Sequence, residues 1–206
     1  MEIKDYFDFL VNEIHTTVVA TVDEKGLPVT CAIDMMDFDE NGIYFLSAKG
    51  KSLYDRLKSN NFIAFTGIKG NDTLSCVALS VRGKVREIGP DRLGILFDKN
   101  PYMNKIYPTE ESRKALTVFY IYEGNGEWFD LSKLPIDRAV FTFGNAEAVK
   151  EGYLITDRCI SCGKCLSVCP QGCIESTPVF SIRQEHCLHC GNCMNACPVH
   201  AVEKIQ

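Results

Sequence analysis

Two copies of one cysteine pattern near the end of the chain constrain its fold more than any other feature. The first reads Cys159-x-x-Cys162-x-x-Cys165-x-x-x-Cys169-Pro170, and the second repeats it as Cys187-x-x-Cys190-x-x-Cys193-x-x-x-Cys197-Pro198. In this spacing three thiolates on one tight loop bind one face of an iron–sulfur cube, and the fourth, before proline, reaches the other cube. The pattern therefore predicts two [4Fe-4S] clusters with crossed ligand sets. One set is Cys159, Cys162, Cys165 and Cys197, and the other is Cys187, Cys190, Cys193 and Cys169.

Other uses of cysteine fit this spacing less well. Zinc sites pair two Cys-x-x-Cys units or add histidines, and each run here has too many ligands for one tetrahedral ion. Disulfides suit a secreted scaffold, and nothing in this sequence looks secreted. The stretch from Gly152 to Gln206 instead resembles the bacterial two-cluster ferredoxins, with every ligand present and neither run interrupted. That resemblance implies four-iron clusters and one-electron transfer at low potential.

The distribution of cysteine also divides the chain. Nine of the eleven cysteines follow residue 158. The preceding part, about 150 residues, is long enough to bury a core of its own. We therefore expect a first domain over residues 1–147 and a ferredoxin-like domain over 148–206, joined by the short polar segment from Gly144 to Gly152.

Charge and hydropathy exclude several classes of partner. The net charge of −5 disfavours nucleic acid, which would require a basic face. No basic stretch leads into an apolar run after Met1, and no segment is long enough to cross a membrane. We expect a cytoplasmic protein, because thiols persist and clusters are assembled in a reducing compartment. Exposed low-potential clusters further suggest an anaerobic host.

Short strand patterns dominate residues 1–147. An amphipathic helix is predicted from Ile3 to Ile14, followed by a hairpin with strands Thr16–Val22 and Leu27–Ile33. A later hairpin is predicted with its turn at Glu123–Gly126, and Gly83 indicates a bulge or a close backbone approach. The remaining strands are predicted at Ile43–Ser47, Phe62–Ile68, Thr73–Arg82, Lys84–Ile88 and Ala139–Phe143. About seven short strands and few helices favour an all-β barrel or sandwich.

The loop Lys49-Gly50-Lys51-Ser52 is a candidate anion site. It lies between a predicted strand and a helix predicted to end near Asn60. Free backbone N–H groups at the start of a helix, together with two ammonium groups, attract an anion such as phosphate. The alternative is a solvated loop with no ligand.

The order of elements from Thr17 to Asn61 resembles the pyridoxamine 5′-phosphate oxidase-like proteins. It includes the hairpin Thr21–Pro28, the strand Ile43–Ser47 and the lysine loop, and Val81–Val85 adds to the likeness downstream. The likeness covers about residues 1–147. It implies a mainly β split barrel that binds FMN, generally as a homodimer with the flavin at the subunit interface.

The same resemblance implies the flavin contacts. The backbone of the strand from Val29 to Asp34 would line the isoalloxazine ring, and the lysine loop would hold the phosphate. The implied contacts are Val29, Thr30, Cys31, Ala32, Ile33, Asp34, Leu46, Ser47, Lys49, Lys51, Ser52 and Trp128. Trp128 would approach the flavin across the dimer, although it also fits an aromatic pair across a hairpin.

Two departures from the oxidases narrow the expected activity. Ser52 and Leu53 stand where the oxidases have an arginine pair, and the chain continues into its ferredoxin-like part instead of ending in an Arg-and-His segment. Oxidation of pyridoxamine phosphate is therefore not expected. The sequence resembles the nitroimidazole-resistance type of split barrel more than it resembles the oxidases. Some proteins of that type bind FMN, and others bind a different cofactor.

The remaining cysteines are expected to have structural roles, and two histidines near the second cysteine run each have two alternative interpretations. Cys31 and Cys76 lie in apolar strand patterns and are predicted to be inert core residues. Cys173 follows Cys169 by four residues and is predicted to pack rather than bind metal. His186 and His189 are either solvated loop residues or groups that tune a cluster through hydrogen bonds to sulfur.

These features together predict a flavin and iron–sulfur oxidoreductase. Its two clusters would exchange electrons with FMN at a dimer interface, and a small organic acceptor or a redox partner protein would complete the reaction. Two alternatives remain open: an electron carrier without a substrate of its own, and a redox-sensing protein that binds a ligand without turnover. No catalytic residue is indicated.

Overall fold

The computed structural model describes residues 1–176 and 179–205, which form two compact units. The first unit contains Met1–Lys69, Ala78–Glu127 and Phe141–Glu147, and the second contains Gly70–Val77, Trp128–Val140 and Ala148–Gln206. Residues 177, 178 and 206 of the predicted ferredoxin-like domain lie outside the described residues. The boundary expected after residue 147 stays a prediction. Within the described ranges, no helix has the length and apolar character needed to span a membrane.

Most of the first unit is a closed barrel. Its strands are β1 (Thr16–Val22), β2 (Pro28–Asp39), β3 (Gly42–Ala48), β4 (Phe62–Lys69), β5 (Val77–Gly89), β6 (Leu116–Asp130) and β7 (Asp137–Phe143). They form one sheet in the order β3-β2-β1-β4-β5-β6-β7, and an additional pairing of β3 with β6 closes six of them into a barrel. Of the two predicted alternatives, a barrel or a sandwich, the structure is therefore the barrel.

Alternating side chains of the strands fill the barrel interior. On β3, Ile43 and Phe45 are fully buried, and on the paired strand β6 so are Phe119 and Ile121. The intervening residues of β3 and β6 are also buried, because short helices cover the outer face. These helices are α3 (Leu93–Lys99) and α4 (Met103–Ile106), and the unit also contains α2 (Ser52–Ser59) and α5 (Glu110–Arg113). Burial on both faces explains why these strands read as continuous apolar runs.

The first residues of the chain form the predicted amphipathic helix in two parts. The α-helix α1 (Ile3–Asp8) continues as a π-helical segment (Phe9–Ile14). Phe7 and Leu10 are fully buried, and the Phe7 ring meets the Phe143 ring edge-on with centroids 5.1 Å apart. The segment thus adds apolar side chains to the barrel core.

The hairpin predicted around Glu123–Gly126 is wrong, because β6 runs straight through these residues. The glycines are required by close packing and not by a turn. A β-carbon on Gly124 would lie 2.5 Å from the Arg82 carbonyl oxygen, and one on Gly126 would lie 2.1 Å from the Phe141 ring. The predicted close backbone approach at Gly83 is confirmed, since a β-carbon there would lie 2.3 Å from the backbone carbonyl oxygen of Glu123.

The strand predicted over Thr73–Arg82 begins later than expected. Thr73–Ser75 form a 3₁₀ turn, and β5 then continues without a break from Val77 to Gly89. Asp72 causes the difference, because its side chain accepts a hydrogen bond from the Ser75 backbone N–H at 2.9 Å. This N-terminal cap stabilises a turn where the apolar pattern alone indicated a strand.

The second unit repeats one small arrangement. It contains β8 (Gly152–Ile155), α6 (Lys164–Val168), β9 (Ile174–Glu175), β10 (Ser181–Ile182), α7 (Asn192–Asn195) and β11 (Val202–Ile205). β8 pairs with β11, and β9 pairs with β10. Its core cluster is Tyr153, Cys165, Ile174, Cys193 and Val202.

The segment Trp128–Val140 is hydrogen-bonded to the cysteine-rich part of the second unit. The Ile136 backbone N–H donates to Gln171 Oε1 at 3.0 Å, and Ile136 O lies 2.7 Å from His186 Nδ1. His186 is therefore not a solvated loop histidine, which was one of its two predicted alternatives. His189 is also half-buried, with its ring edge-on to Tyr153 at a centroid distance of 6.3 Å.

Candidate functional site

The structure brings Cys159, Cys162, Cys165 and Cys197 together around one pocket. The first three come from the loop before α6 and its first turn, and the fourth comes from the loop that follows α7. Apolar residues complete the wall, among them Ile155, Phe180 and Val202. The pocket gathers the four residues of the first predicted cluster set.

A second pocket is lined by Cys169, Cys187, Cys190 and Cys193. These are the four residues of the second predicted set, and again one of them comes from the other cysteine run. Cys173 lines the same pocket as a fifth cysteine, with its sulfur 3.4 Å from the Cys169 sulfur. Cys173 is only 2% exposed, which agrees with a packing role.

Matching backbone conformations shape the two cysteine loops. Ser161 and His189, each two residues after the first cysteine of its run, both have φ near 54°. Gly163 and Gly191, two residues further on, have φ of 73° and 78°. Left-handed residues bend the chain sharply, so that a short loop can direct three sulfurs inward. The sequence repeat is therefore also a repeat in conformation.

Backbone N–H groups surround the fourth cysteine of each run. The Ala201 N–H donates to the Cys197 sulfur at 3.2 Å. Burial opposes charge on the Cys169 and Cys197 thiols, but backbone N–H groups directed at their sulfurs lower the pKa of both overall. Burial dominates at the third cysteine of each run, where it raises the pKa of Cys165 and raises that of Cys193 to about 11.

The donor sets suit four-iron clusters. Four cysteine sulfurs around each pocket match the ligand number of a [4Fe-4S] cube, and thiolate is the form that binds metal. N–H groups directed at sulfur stabilise the thiolate, and such hydrogen bonds also tune cluster potential. The ligand roles of the individual cysteines stay predictions that iron analysis of variants can test.

In the barrel, the predicted flavin strand Val29–Asp34 forms the first half of β2. Its side chains alternate, with Thr30 and Ala32 exposed and Val29, Cys31 and Ile33 half-buried. Cys31 and Cys76 are both only half-buried, so the prediction that they are core residues is wrong. Because every second side chain is exposed, one face of this strand is available to a ligand or to another chain.

The lysine loop leads into α2 as expected. Lys49, Lys51 and Ser52 are exposed, and Lys51 is the N-cap residue, with no side chain capping the helix. Leu46 and Ser47, in the preceding strand β3, are buried at 8% and 3% exposure. The free start of α2 and two ammonium groups therefore lie together, which is the arrangement that favours an anion.

Arg56 is a candidate site residue that the sequence analysis missed. Its Nε donates to Thr21 Oγ1 at 2.7 Å. Burial raises the pKa of the Cys31 thiol, and the nearby charges of Arg56 and Lys51 partly offset that effect. Both cations are therefore close to the flavin strand. Helical spacing contained the signal, because Arg56 lies four residues after Ser52 and so on the same face of α2.

Two predicted flavin residues have other surroundings. Asp34 accepts hydrogen bonds from Tyr102 Oη at 2.7 Å and Thr16 Oγ1 at 2.7 Å. Burial opposes the charge, but these bonds and nearby His15 lower the pKa of its carboxyl. Trp128 is buried in the second unit, whereas the other predicted flavin residues belong to the first. Its flavin contact stays a prediction.

Solved structures share the barrel fold. A NimC/NimA family protein from Clostridium acetobutylicum aligns with a TM-score of 0.55 and 15% identity, over 68% of this chain and 92% of that one. An FMN-binding protein related to pyridoxamine 5′-phosphate oxidase, from Nostoc punctiforme, aligns at 0.50 and 11%, over 69% and 89%. A heme-binding protein from Mycobacterium smegmatis aligns at 0.52 and 11%, over 68% and 58%.

Sequence families match both parts of the chain. The model described as "4Fe-4S dicluster domain" matches residues 149–201, and the model described as "Pyridoxamine 5'-phosphate oxidase" matches residues 3–122. No curated protein matches the sequence. The dicluster domain indicates two [4Fe-4S] clusters, the barrel fold indicates FMN, and the two together indicate a redox function. The chain belongs to the pyridoxamine 5′-phosphate oxidase family and carries a 4Fe-4S dicluster domain after the family's barrel.

Proposed function

We propose that this protein is an oxidoreductase that passes electrons between its two [4Fe-4S] clusters and FMN in the barrel, and that it reduces a small organic acceptor. One observation carries the proposal. A chain whose barrel belongs to an FMN-binding fold also forms two pockets, each lined by a complete set of four predicted cluster ligands. When bound, FMN exchanges electrons in pairs or singly, whereas each cluster carries one electron.

The protein's part in this function is to hold the cofactors and set their electrostatic surroundings. Cysteine sulfurs hold the clusters, and the N–H groups around Cys169 and Cys197 stabilise negative charge on sulfur. In the barrel, Lys49, Lys51 and Arg56 supply positive charge for the FMN phosphate near the start of α2. Arg56 takes the place of the arginine pair that the related oxidases have directly after the loop.

We also propose that the barrel forms a homodimer. Large apolar side chains are exposed on the outer face of β1 and β4: Val18 is 58% exposed, Phe62 45% and Ile68 63%. Val18 lies opposite Ala32 on β2 and Thr66 on β4, so these side chains share one surface. Several exposed apolar side chains on one face are typical of an interaction site. A second copy of the barrel would bury it beside the flavin strand.

Cofactor analysis of anaerobically purified protein tests the central proposal. We expect about one FMN and about eight irons per chain, the total for two four-iron clusters. After the clusters are reduced, the flavin absorbance should bleach without added mediator. Eight irons with no flavin, and none taken up from added FMN, would contradict the proposal and favour the redox-sensing alternative.

Two variants separate the phosphate site from the dimer. Lys51→Met combined with Arg56→Met should weaken FMN binding at least tenfold, because the phosphate loses two cations. Lys105→Met replaces an exposed lysine on α4, is the matched control and should leave FMN binding unchanged.

Val18→Asp should shift the mass measured by light scattering from dimer to monomer. A monomeric unmodified protein would contradict the dimer without affecting the electron-transfer proposal.

A further inference from the structure

The two cysteine pockets of the second unit differ in one thiol. Cys173 lines the second pocket beside its four predicted cluster ligands, whereas the described residues that line the first pocket include no fifth cysteine. We propose that the Cys173 thiol is not a ligand but donates a hydrogen bond to the Cys169 sulfur, and that this bond raises the potential of the second cluster relative to the first. The proposal rests on the two clusters and not on electron exchange with FMN.

Cys173 and Ala201 occupy equivalent positions in the two halves of the unit. Each lies four residues after the last cysteine of its run, Cys169 or Cys197, and directly before a strand, β9 or β11. The preceding residue is left-handed in both halves, with φ of 58° in the first and 49° in the second. In both halves its N–H donates to the carbonyl oxygen of the last cysteine at 3.3 Å. The repeat therefore provides an internal comparison between a thiol and a methyl group.

Backbone hydrogen bonds to the last cysteine of each run are matched between the halves. The Ala201 N–H donates to the Cys197 sulfur at 3.2 Å, and the Cys173 N–H is directed at the Cys169 sulfur. Because these bonds stabilise negative charge on both sulfurs, they do not distinguish the two clusters. The Cys173 side chain does, since its sulfur lies 3.4 Å from the Cys169 sulfur and Ala201 has no such atom.

The direction of the sulfur–sulfur hydrogen bond follows from the state of each sulfur. A cysteine binds iron as the thiolate, which has no proton and can only accept a hydrogen bond. Cys173 is only 2% exposed, and burial opposes the charged form of a thiol, so Cys173 keeps its proton. The Cys173 S–H is therefore the donor, and water has little access to compete with it.

The position of Cys173 suits this role better than that of a ligand. Four cysteines complete the ligand set of a four-iron cube, and the second pocket has four without Cys173. Its sulfur lies close to Cys169 and also to Cys187, which belong to the same predicted set. A hydrogen bond to either sulfur acts on the same cluster.

A hydrogen-bond donor at a ligand sulfur favours the reduced cluster. Reduction adds one electron, and the ligand sulfurs share the added negative charge. The hydrogen bond stabilises this charge more in the reduced cluster than in the oxidised one, which raises the potential. A thiol is a weak donor, so the effect is modest. An electron shared by the two clusters would therefore rest on the second cluster more often than it would without Cys173.

Cluster potentials of the anaerobically purified full-length holoprotein test this proposal. A redox titration followed by EPR of the reduced clusters gives the two potentials, and iron analysis shows whether each variant holds both clusters. The variants are Cys173→Ala, Cys173→Ser and Ala201→Cys, with Cys76→Ala as the control for loss of a thiol. Cys76 is half-buried and is not among the described residues that line either pocket.

We expect Cys173→Ala to keep about eight irons and to lower one of the two potentials. The ratio of reduced to oxidised cluster at a fixed solution potential should fall at least threefold, which is about 28 mV for a one-electron couple. Cys173→Ser should not lower this potential, because a hydroxyl also donates. Ala201→Cys should raise the other potential, because it gives the first cluster the donor that it lacks. Cys76→Ala should change neither.

Four results would overturn the proposal: unchanged potentials in Cys173→Ala, equal lowering in Cys173→Ala and Cys173→Ser, loss of iron in Cys173→Ala, or a shift of the same potential by Cys173→Ala and Ala201→Cys. If Ala201→Cys does not hold both clusters, the two Cys173 variants decide. None of these readouts involves the flavin. A protein with eight irons and no FMN would contradict the proposed function and leave this test intact.

Discussion

The barrel and the iron–sulfur unit assemble their candidate sites in different ways. In the second unit, three of the four predicted ligands around each pocket come from one cysteine run, and left-handed residues at matching positions bend both loops alike. In the barrel, the candidate flavin residues come from β2, from β3 and from the loop before α2. A site built from one loop is visible in local spacing, whereas a site built from several strands is visible only through the fold.

The two units also differ in what stabilises them. The barrel buries large side chains from six strands, including Phe45, Ile63, Leu79 and Phe119. The core cluster of the second unit has five members, two of which are cysteines, and its helices α6 and α7 have five and four residues. Helices this short are not stable by themselves. The second unit therefore depends on its clusters, and the barrel depends on apolar packing.

Removal of iron should produce the largest difference between the two units. After chelation under reducing conditions, we expect backbone amides of residues 148–205 to lose protection from hydrogen exchange, because metal binding supplies the folding energy of such small domains. Amides in β1–β6 of the barrel should keep their protection. Equal loss in both units, or none in the second, would contradict this view of their stability.

Within the second unit, ligand position should matter more than burial. Cys190 is exposed and Cys173 is buried, and both line the same pocket. We expect Cys190→Ala to reduce iron from about eight to about four or fewer per chain, and Cys173→Ala to retain both clusters. Iron and sulfide analysis of the two purified variants measures this. A loss of iron in Cys173→Ala alone would reverse the assigned roles.

Glycine was the residue most difficult to interpret from sequence. Gly124 and Gly126, with Asn125 between them, have the composition of a tight turn, and the hairpin prediction followed from it. In the barrel they lie inside β6, where Arg82 O and the Phe141 ring approach too closely for a β-carbon. A glycine in the sequence shows that the position has no side chain, but it does not show the reason. Here the reason is close packing against residues from distant parts of the chain.

The residues of the candidate sites were also predicted only in part. The grouping of eight cysteines around two pockets was predicted from spacing alone, because most ligands of one cluster lie a few residues apart in the sequence. The position of Arg56 beside Thr21 depends on how α2 packs against β1, two elements that are distant in sequence. Tertiary packing of this kind leaves no local pattern.

A matched pair of glycine variants tests the packing explanation in the barrel. Gly126→Ala should destabilise the protein by about 2–3 kcal/mol, because its methyl group would overpack against the Phe141 ring. Gly94→Ala, in α3 with open space around it, should be neutral or stabilise by up to about 1 kcal/mol. Denaturant unfolding of the two variants measures both. A neutral Gly126→Ala would contradict this packing explanation.

The smallest expected effect concerns a charge that only the folded barrel stabilises. Asp39 accepts hydrogen bonds from Tyr44 Oη at 2.5 Å, the Asn41 backbone N–H at 2.9 Å and Tyr120 Oη at 3.1 Å. Burial alone would raise the pKa of this carboxyl, but these bonds and Arg92 hold it below its ordinary value of 3.8. The resulting stabilisation is complete above the unfolded pKa and is lost as pH falls through the lower folded pKa.

Asp39→Asn should therefore cost about 0.5–1.5 kcal/mol at neutral pH, the net range for a typical hydrogen bond, because the Asn amide oxygen still accepts hydrogen bonds but carries no negative charge. The cost should stay constant from about pH 8 to about pH 5, because Asp39 remains ionised in both the folded and the unfolded chain over that range. Asp91→Asn, at an exposed position, is the control and should have little effect at any of these pH values. Unfolding free energies measured across the range provide the check. A cost that grew as the pH fell from 7 to 5 would mean that folding raises the pKa of Asp39, and that burial outweighs the hydrogen bonds around it.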